Sequence, residues 1–346
     1  MLVGAAAVDD KLKSRITSVI SETYLKAPWY NAHMMKIVGE GNIPFLMQTY
    51  YTDRWPYLPL SYIHQHGEPG LHTYKGFLNG KKAIMSIDEG WWALGWIAAY
   101  DLTNNRRYLN QAESIFKDMH AVFGKTNCSK NVGGIGGIWW DRNQTYVNAI
   151  ANELFFSTAA SLANRAESSS SYLSIAKQQW AWFKGTGMIR DNSTINDGLD
   201  LQTCQNNGGT IWTYNQGVVL GGLVELSKAT GDTSYIDTAH RIATASIATL
   251  APSGILRDPC EPNCGPDGSQ FKGIFVRNLL ILHEVSPRDE YRELFEKNAR
   301  SIWKRNRNKR NELSISWAGP FDPAYPANAS TQSSAMDCLV AAVAVA

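Results

Sequence analysis

The chain has 346 residues, 44% of them apolar, with 33 basic and 31 acidic side chains and a formal net charge of +2. A chain of this length buries roughly 75% of the surface it exposes when unfolded, so neither disulfide staples nor a metal is required to explain folding. The near-neutral balance, without long runs of Lys or Arg, excludes an electrostatic footprint for nucleic acid or an anionic membrane, and no apolar run reaches the length of about eighteen residues that a membrane-spanning helix needs.

Residues 1–10 are too few for the charged, apolar and cleavage regions of a signal peptide, and residues 1–15 read as a remnant of one or of cloning. Further on, residues 48–72 are rich in aromatic and imidazole groups. Tyr50, Tyr51, Arg54, His64 and His66 are candidate ligand-binding residues there. Two His at a spacing of two lack the further ligands zinc requires, so no metal or other cofactor is expected.

A repeated helical hairpin follows. In residues 91–116 an apolar run ends at Thr103-Asn104-Asn105, and then come Tyr108, Ala112 and Ile115. In residues 217–242 a similar run ends at Thr230-Gly231-Asp232, and Tyr235, Ala239 and Ile242 repeat the spacing. Weaker copies begin at Tyr172, with Ala176, and at Tyr291, with Phe295, Ala299 and Ile302. Such offsets share one stripe of a helix, and the intervening triplets have turn and cap chemistry. Glycine-rich, aromatic loops separate the hairpins at 132–141, 206–214, 259–268 and 317–327. No period-two run is long enough for a sheet core. About a dozen helices in one all-α domain over residues 1–346 are expected, closed into a toroid rather than left as an open solenoid, because closure buries every apolar stripe and gathers the loops around one mouth.

Five cysteines leave at least one unpaired. Cys260 and Cys264 enclose a turn-forming Glu-Pro-Asn stretch that brings their sulfurs within bridging reach, and one or two disulfides plus a buried thiol are expected. Four sequons, at Asn127, Asn143, Asn192 and Asn328, point to glycosylation in a secreted or secretory-lumen protein.

Three constellations carry candidate chemistry. The first is Asp88-Glu89-Gly90-Trp91-Trp92, two carboxylates at the start of a Trp-rich helix; the same carboxylates also suit capping of its positive end. The second is Trp139-Trp140-Asp141 followed by Asn148, Asn152 and Glu153, a polar group in an apolar run that serves either a ligand or a buried hydrogen-bonded network. The third runs from Gly208 through Trp212 and Tyr214 to Gly217, a composition suited to hydroxyl-rich or flat ligands. The excess of aromatics, 12 Trp, 15 Tyr and 11 Phe, favours a deep cavity.

Together with Asn196-Asp197-Gly198 and the stretch from Phe271 to Asn278, these blocks resemble the fungal branch of glycoside hydrolase family 76, the α-1,6-mannanases. The resemblance implies an (α/α)6 barrel, secretion, and a pair of neighbouring aspartates in an Asp-Asp-x-x-Trp-Trp motif, the first a nucleophile and the second an acid/base. Asp141, Asn148, Glu153, Trp212, Tyr214, Asn215, Lys272 and Arg277 match family positions. With Trp91 and Trp92 aligned, the second aspartate is Asp88, but the first falls on Ile87. A retaining glycosidase needs two carboxylates about 5–5.5 Å apart, and isoleucine can neither attack the anomeric carbon nor donate a proton. The sugar-stacking Trp-Trp-Asn-Ser-Ala-Asn stretch of the family reads here as Ile37-Val38-Gly39-Glu40-Gly41-Asn42.

These departures favour a barrel recruited for a non-hydrolytic reaction. It would bind an apolar or aromatic natural-product intermediate and promote cyclisation or cycloaddition by orientation and hydrogen bonding, with Asp88 or Glu89 as proton donor. The alternative is a secreted endo-α-1,6-mannanase acting on fungal mannan with Asp88 and Glu89 as its working carboxylates. A further alternative is an inactive glycan-binding cell-wall protein.

Overall fold

The computed structural model describes residues 86–346. Among these residues the fold is helical, with one two-stranded ribbon. The helices are α1 (Ser86–Thr103), α2 (Arg106–His120), α3 (Ala149–Ala163), α4 (Ser169–Gly185), α5 (Thr213–Thr230), α6 (Ser234–Leu250), the short α7 (Gly265–Gly268), α8 (Phe271–Val285), α9 (Asp289–Arg305) and α10 (Ala329–Ala344). The ribbon pairs β1 (Lys130–Asn131) with β2 (Gly134–Ile135) in antiparallel register.

Two kinds of helix alternate. The inner set, α1, α3, α5, α8 and α10, packs side by side in that order, each against the next. All fifteen residues of α3 are buried, the polar Asn152 and Glu153 among them. The inner helices approach closely because small residues face their neighbours. A Cβ on Gly217 would lie 2.6 Å from the Phe275 Cα, and one on Gly273 2.7 Å from the Ser334 Cα. The outer set is amphipathic, and the repeated Tyr/Ala/Ile spacing is its buried stripe: Tyr108, Ala112 and Ile115 on α2, and Tyr291, Phe295, Ala299 and Ile302 on α9, face inward.

Connections from inner to outer helices are short, and those from outer to inner helices are long. Turns at 104–105, 164–168, 231–233 and 286–288 close one end. Gly231, left-handed at φ 73°, terminates α5 in this way. Loops 121–148, 186–212, 251–270 and 306–328 gather at the other end, where the inner helices begin and their positive dipole ends converge. At the closed end Arg165 ties three inner helices. It donates to both Asp101 oxygens at 2.6 and 2.7 Å and to Glu225 at 2.7 Å.

Disulfides form between Cys128 and Cys204 and between Cys260 and Cys264, and Cys338 is a buried free thiol, in accord with the sequence expectation. The first joins loop 121–148 to loop 186–212. No described helix is long and apolar enough to cross a membrane.

Candidate active site

The loop end of the barrel is where the sequence-predicted groups gather, and α1 sorts its own by helical stripe. Trp91 packs with Ile150, Leu154, Val218, Phe271 and Ile274 from the inner faces of α3, α5 and α8. Glu89, Trp92 and Trp96 lie on a different stripe, turned toward α2: Trp92 stacks with Trp96, and Trp96 with Tyr108. Glu89 is buried and paired with Arg142, whose side chain is half exposed. Burial raises the Glu89 carboxyl above its ordinary range, while Arg142 pulls it down. The side chains of Ile87 and Asp88, and the whole of Tyr50, Tyr51, Arg54, His64 and His66, lie outside the described residues.

An aromatic platform forms where α5 meets α8. Tyr214 lies flat on Phe271 with ring centroids 3.7 Å apart, and Trp212 meets Phe271 edge-on at 5.6 Å. Both Trp212 and Tyr214 keep part of their surface open. Beside the platform lies a polar network. Asn215 Nδ2 donates to Asp197 Oδ1 at 3.3 Å, Tyr146 Oη donates to Asp197 Oδ2 at 3.1 Å, and Asn207 Nδ2 donates to Tyr146 Oη at 2.8 Å. Burial raises the Asp197 carboxyl, and its hydrogen bonds from Asn215 and Tyr146 oppose that rise. Tyr146 and Tyr214 are both pushed up, first by burial and then by the Asp197 charge.

Glu153 behaves unlike its neighbours in α3. It is fully buried, neither carboxyl oxygen has a hydrogen-bond partner among the described residues, and burial pushes its pKa well up. Burial without a partner disfavours the charged form of a carboxyl. The adjacent amides instead form the structural network weighed from the sequence. Asn148 caps α3, and Asn152 Oδ1 accepts from the Ile138 N–H at 2.9 Å and from Gln179 Nε2 at 3.0 Å.

Several other candidates are not brought to the platform. Trp92 and Trp139 belong to the main core. Asp141 accepts from the Thr145 N–H and hydroxyl at 2.9 and 2.7 Å and so shapes its own turn, while Trp140 is half-buried beside it. Lys272 is buried, paired with Glu261 and donating to the Ile315 carbonyl at 2.6 Å. Arg277 is nearer the centre. It pairs with Asp337 of α10 at 3.2 Å, with its guanidinium 5.7 Å from the Trp91 ring centre. The sequon residues Asn127, Asn143, Asn192 and Asn328 are all exposed.

Sequence reasoning did not place Tyr146, Asp197 or Phe271 among the site residues. Asp197, within Asn-Asp-Gly, carries the only local signal, since a carboxylate in a turn has either a capping or a ligand role. Nothing in the sequence announces that Tyr146 lies within a hydrogen bond of Asp197, fifty-one residues away.

Among the described residues, alternating inner and outer helices with their long loops gathered at one end define the class of helical toroids, the (α/α)6 barrels. The chain matches the model of glycosyl hydrolase family 76 over residues 25–345 and belongs to that family. Among proteins of known sequence it is similar to the mannan endo-1,6-alpha-mannosidase DFG5 of Candida albicans, 27% identical over 230 residues, covering 61% of this chain and 50% of that protein. DCW1 of the same species is 26% identical over 264 residues, covering 70% and 56%. The chain thus spans about half the length of the curated relatives it matches. Among solved structures, an α-1,6-mannanase of a Salegentibacter species, a variant inactivated at two adjacent aspartates and bound to α-1,6-mannotriose, superposes with a TM-score of 0.74 at 21% identity, covering 97% of this chain and 99% of that one. Dfg5 of Chaetomium thermophilum in complex with glucosamine gives 0.73 at 20% identity, covering 87% and 78%.

Proposed function

We propose that this protein is a glycoside hydrolase acting on α-1,6-linked mannosides at the loop end of the barrel. The observation that carries this reading is the Tyr214–Phe271 stack, met edge-on by Trp212, standing beside the Asp197–Asn215–Tyr146 network. Rigid rings beside carboxyl, amide and phenol groups suit a sugar, which offers apolar C–H faces and a rim of hydroxyls. The relatives named for mannan endo-1,6-alpha-mannosidase activity, and the neighbour holding mannotriose, supply the substrate class.

Asp88 and Glu89 are the carboxyl groups we assign to the reaction. Burial raises the Glu89 carboxyl in the direction a proton donor requires, and Arg142 limits the rise. Ile87 stands where the family's Asp-Asp-x-x-Trp-Trp motif, set on Trp91 and Trp92, has its first aspartate, so turnover is expected to be slow: each tenfold loss corresponds to about 1.4 kcal/mol of barrier. The two disulfides and four exposed sequons support an oxidising, secretory setting.

Ile87 also favours a second reading, the recruited barrel that orients an apolar intermediate for cyclisation or cycloaddition. Incubating the purified protein with α-1,6-mannan and resolving the products by anion-exchange chromatography separates the two. Oligomannoside release that Asp88→Asn abolishes supports hydrolysis. Mannotriose binding without release supports a glycan-binding protein, and neither binding nor release removes the mannoside reading and leaves recruitment.

A further inference from the structure

We infer that Asp258 is the positioning residue of the aromatic platform, setting the affinity for the sugar rather than the rate of bond cleavage. The inference rests on the mannoside reading above. Helix α5 begins at Thr213, and its N-cap position is Trp212, which makes no side-chain capping bond. A tryptophan there leaves the first amides of the helix without the acceptor that Ser, Thr, Asp or Asn would supply. Asp258 supplies it from another loop: Oδ1 accepts the Thr213 N–H at 2.9 Å, and Oδ2 accepts the Thr213 hydroxyl at 2.7 Å. Both bonds fall on the one residue between Trp212 and Tyr214. They fix the backbone and the χ1 of Thr213 together, and hence the direction in which the two platform rings leave the chain.

Asp258 is itself anchored to the other half of the platform. Its N–H donates to Glu261 Oε1 at 3.0 Å, and the same oxygen takes the ion pair from Lys272. Lys272 follows Phe271, the ring on which Tyr214 stacks. A single run of bonds therefore leads from the residues around Thr213, through Asp258 and Glu261, to the residues around Phe271. Asp258, Thr213 and Lys272 are each at most 2% exposed, so water does not compete for these bonds. The Cys260–Cys264 disulfide closes the tight loop that presents Glu261. Asp258 acts through its two hydrogen bonds to Thr213.

The test uses the full chain labelled with 5-fluorotryptophan, with the Trp212 fluorine resonance assigned by Trp212→Phe. Asp258→Asn and Thr213→Val are expected to shift and broaden that resonance. They are also expected to raise the Kd for α-1,6-mannotriose about tenfold, the scale of losing hydrogen bonds to a charged acceptor, and to change kcat on the mannan by less than about twofold. Thr213→Ser, which keeps the hydroxyl, is expected to restore the wild-type resonance and Kd. A folded Asp258→Asn protein with an unchanged Trp212 resonance overturns the inference. So does a Thr213→Val protein indistinguishable from Thr213→Ser, which decides the matter even where Asp258→Asn does not fold. Failure of the wild-type protein to bind mannotriose counts against the mannoside reading alone, because the Trp212 resonance reports positioning without ligand.

Discussion

Tyr214 and Phe271 lie face to face, 3.7 Å between centroids and 10° from parallel, although 57 positions (271 − 214) separate them in the chain. Each ring stands in the first turn of an inner helix, so the contact fixes α5 against α8 where the barrel opens. Phe271→Ala is expected to cost about 3 kcal/mol of stability, the scale of emptying a buried aromatic site. It should also weaken mannotriose binding. Urea unfolding and titration calorimetry measure the two effects, and unchanged affinity in the folded variant removes the stack from the binding surface.

Arg165 is the corresponding tie at the closed end, joining Asp101, Glu225 and the C-terminus of α3. Arg165→Ala leaves Glu225 nearly buried without its guanidinium. The expected loss is about 2–3 kcal/mol, reduced from the value for a fully buried pair because the Asp101 arm is partly exposed. Arg165→Lys should recover little, since an ammonium cannot span both carboxylates in bidentate geometry. The urea midpoint checks this at constant slope.

His240 gives a sign for acid sensitivity. Its Nδ1 lies 2.7 Å from the Tyr291 hydroxyl and its Nε2 2.9 Å from the Ser286 hydroxyl, and burial lowers its pKa to about 4. The folded chain therefore holds the ring neutral where the unfolded chain, titrating near 6.5, has already bound a proton. The unfolded state binds more protons between these values, so this contribution is complete above about pH 6.5 and is lost as pH falls toward 4. After allowance for solvent screening the loss is about 1–2 kcal/mol. Subtracting the pH–stability curve of His240→Gln from that of the wild type isolates it, and superimposable curves refute it.

Arg142 offers a test of the Glu89 assignment. It opposes the burial that raises the Glu89 carboxyl, so Arg142→Ala should move the Glu89-dependent limb of the pH–rate profile on α-1,6-mannan to higher pH. Glu89→Gln should abolish that limb. A profile that both substitutions leave in place assigns the proton to another group.

The Cys128–Cys204 disulfide closes a 76-residue separation and holds together the two loops that carry Tyr146 and Asp197. Replacing both cysteines with alanine is expected to lower stability by about 2–4 kcal/mol. A loosened Tyr146–Asp197 contact should weaken mannotriose binding as well. Thermal unfolding and calorimetry report the two effects separately.

Local spacing was enough to reveal the hairpins. Tyr108, Ala112 and Ile115 recur in register because each outer helix must bury the same narrow stripe, and that requirement is written within eight residues. The inner helices were legible as apolar runs, and the long loops as glycine-rich gaps between periodic segments. Cys260 and Cys264 were legible as a bridge for the same reason, since a turn alone brings them together.

The site obeys a different logic. Asn152 and Glu153 are adjacent in sequence and both polar, yet one is bonded to Ile138 and Gln179 while the other has no partner among the described residues. Lys272 and Arg277 look alike as buried cations, but one secures a loop and the other faces the Trp91 ring. Thus the amino-acid order alone settled that this chain would wind into helical hairpins, because amphipathic periodicity is a local property. Which polar groups share the mouth, which rings stack and which carboxyl has its pKa pushed up depended on packing α3, α5 and α8 around one axis, because electrostatics and desolvation are set by neighbours that the chain brings in from tens of residues away.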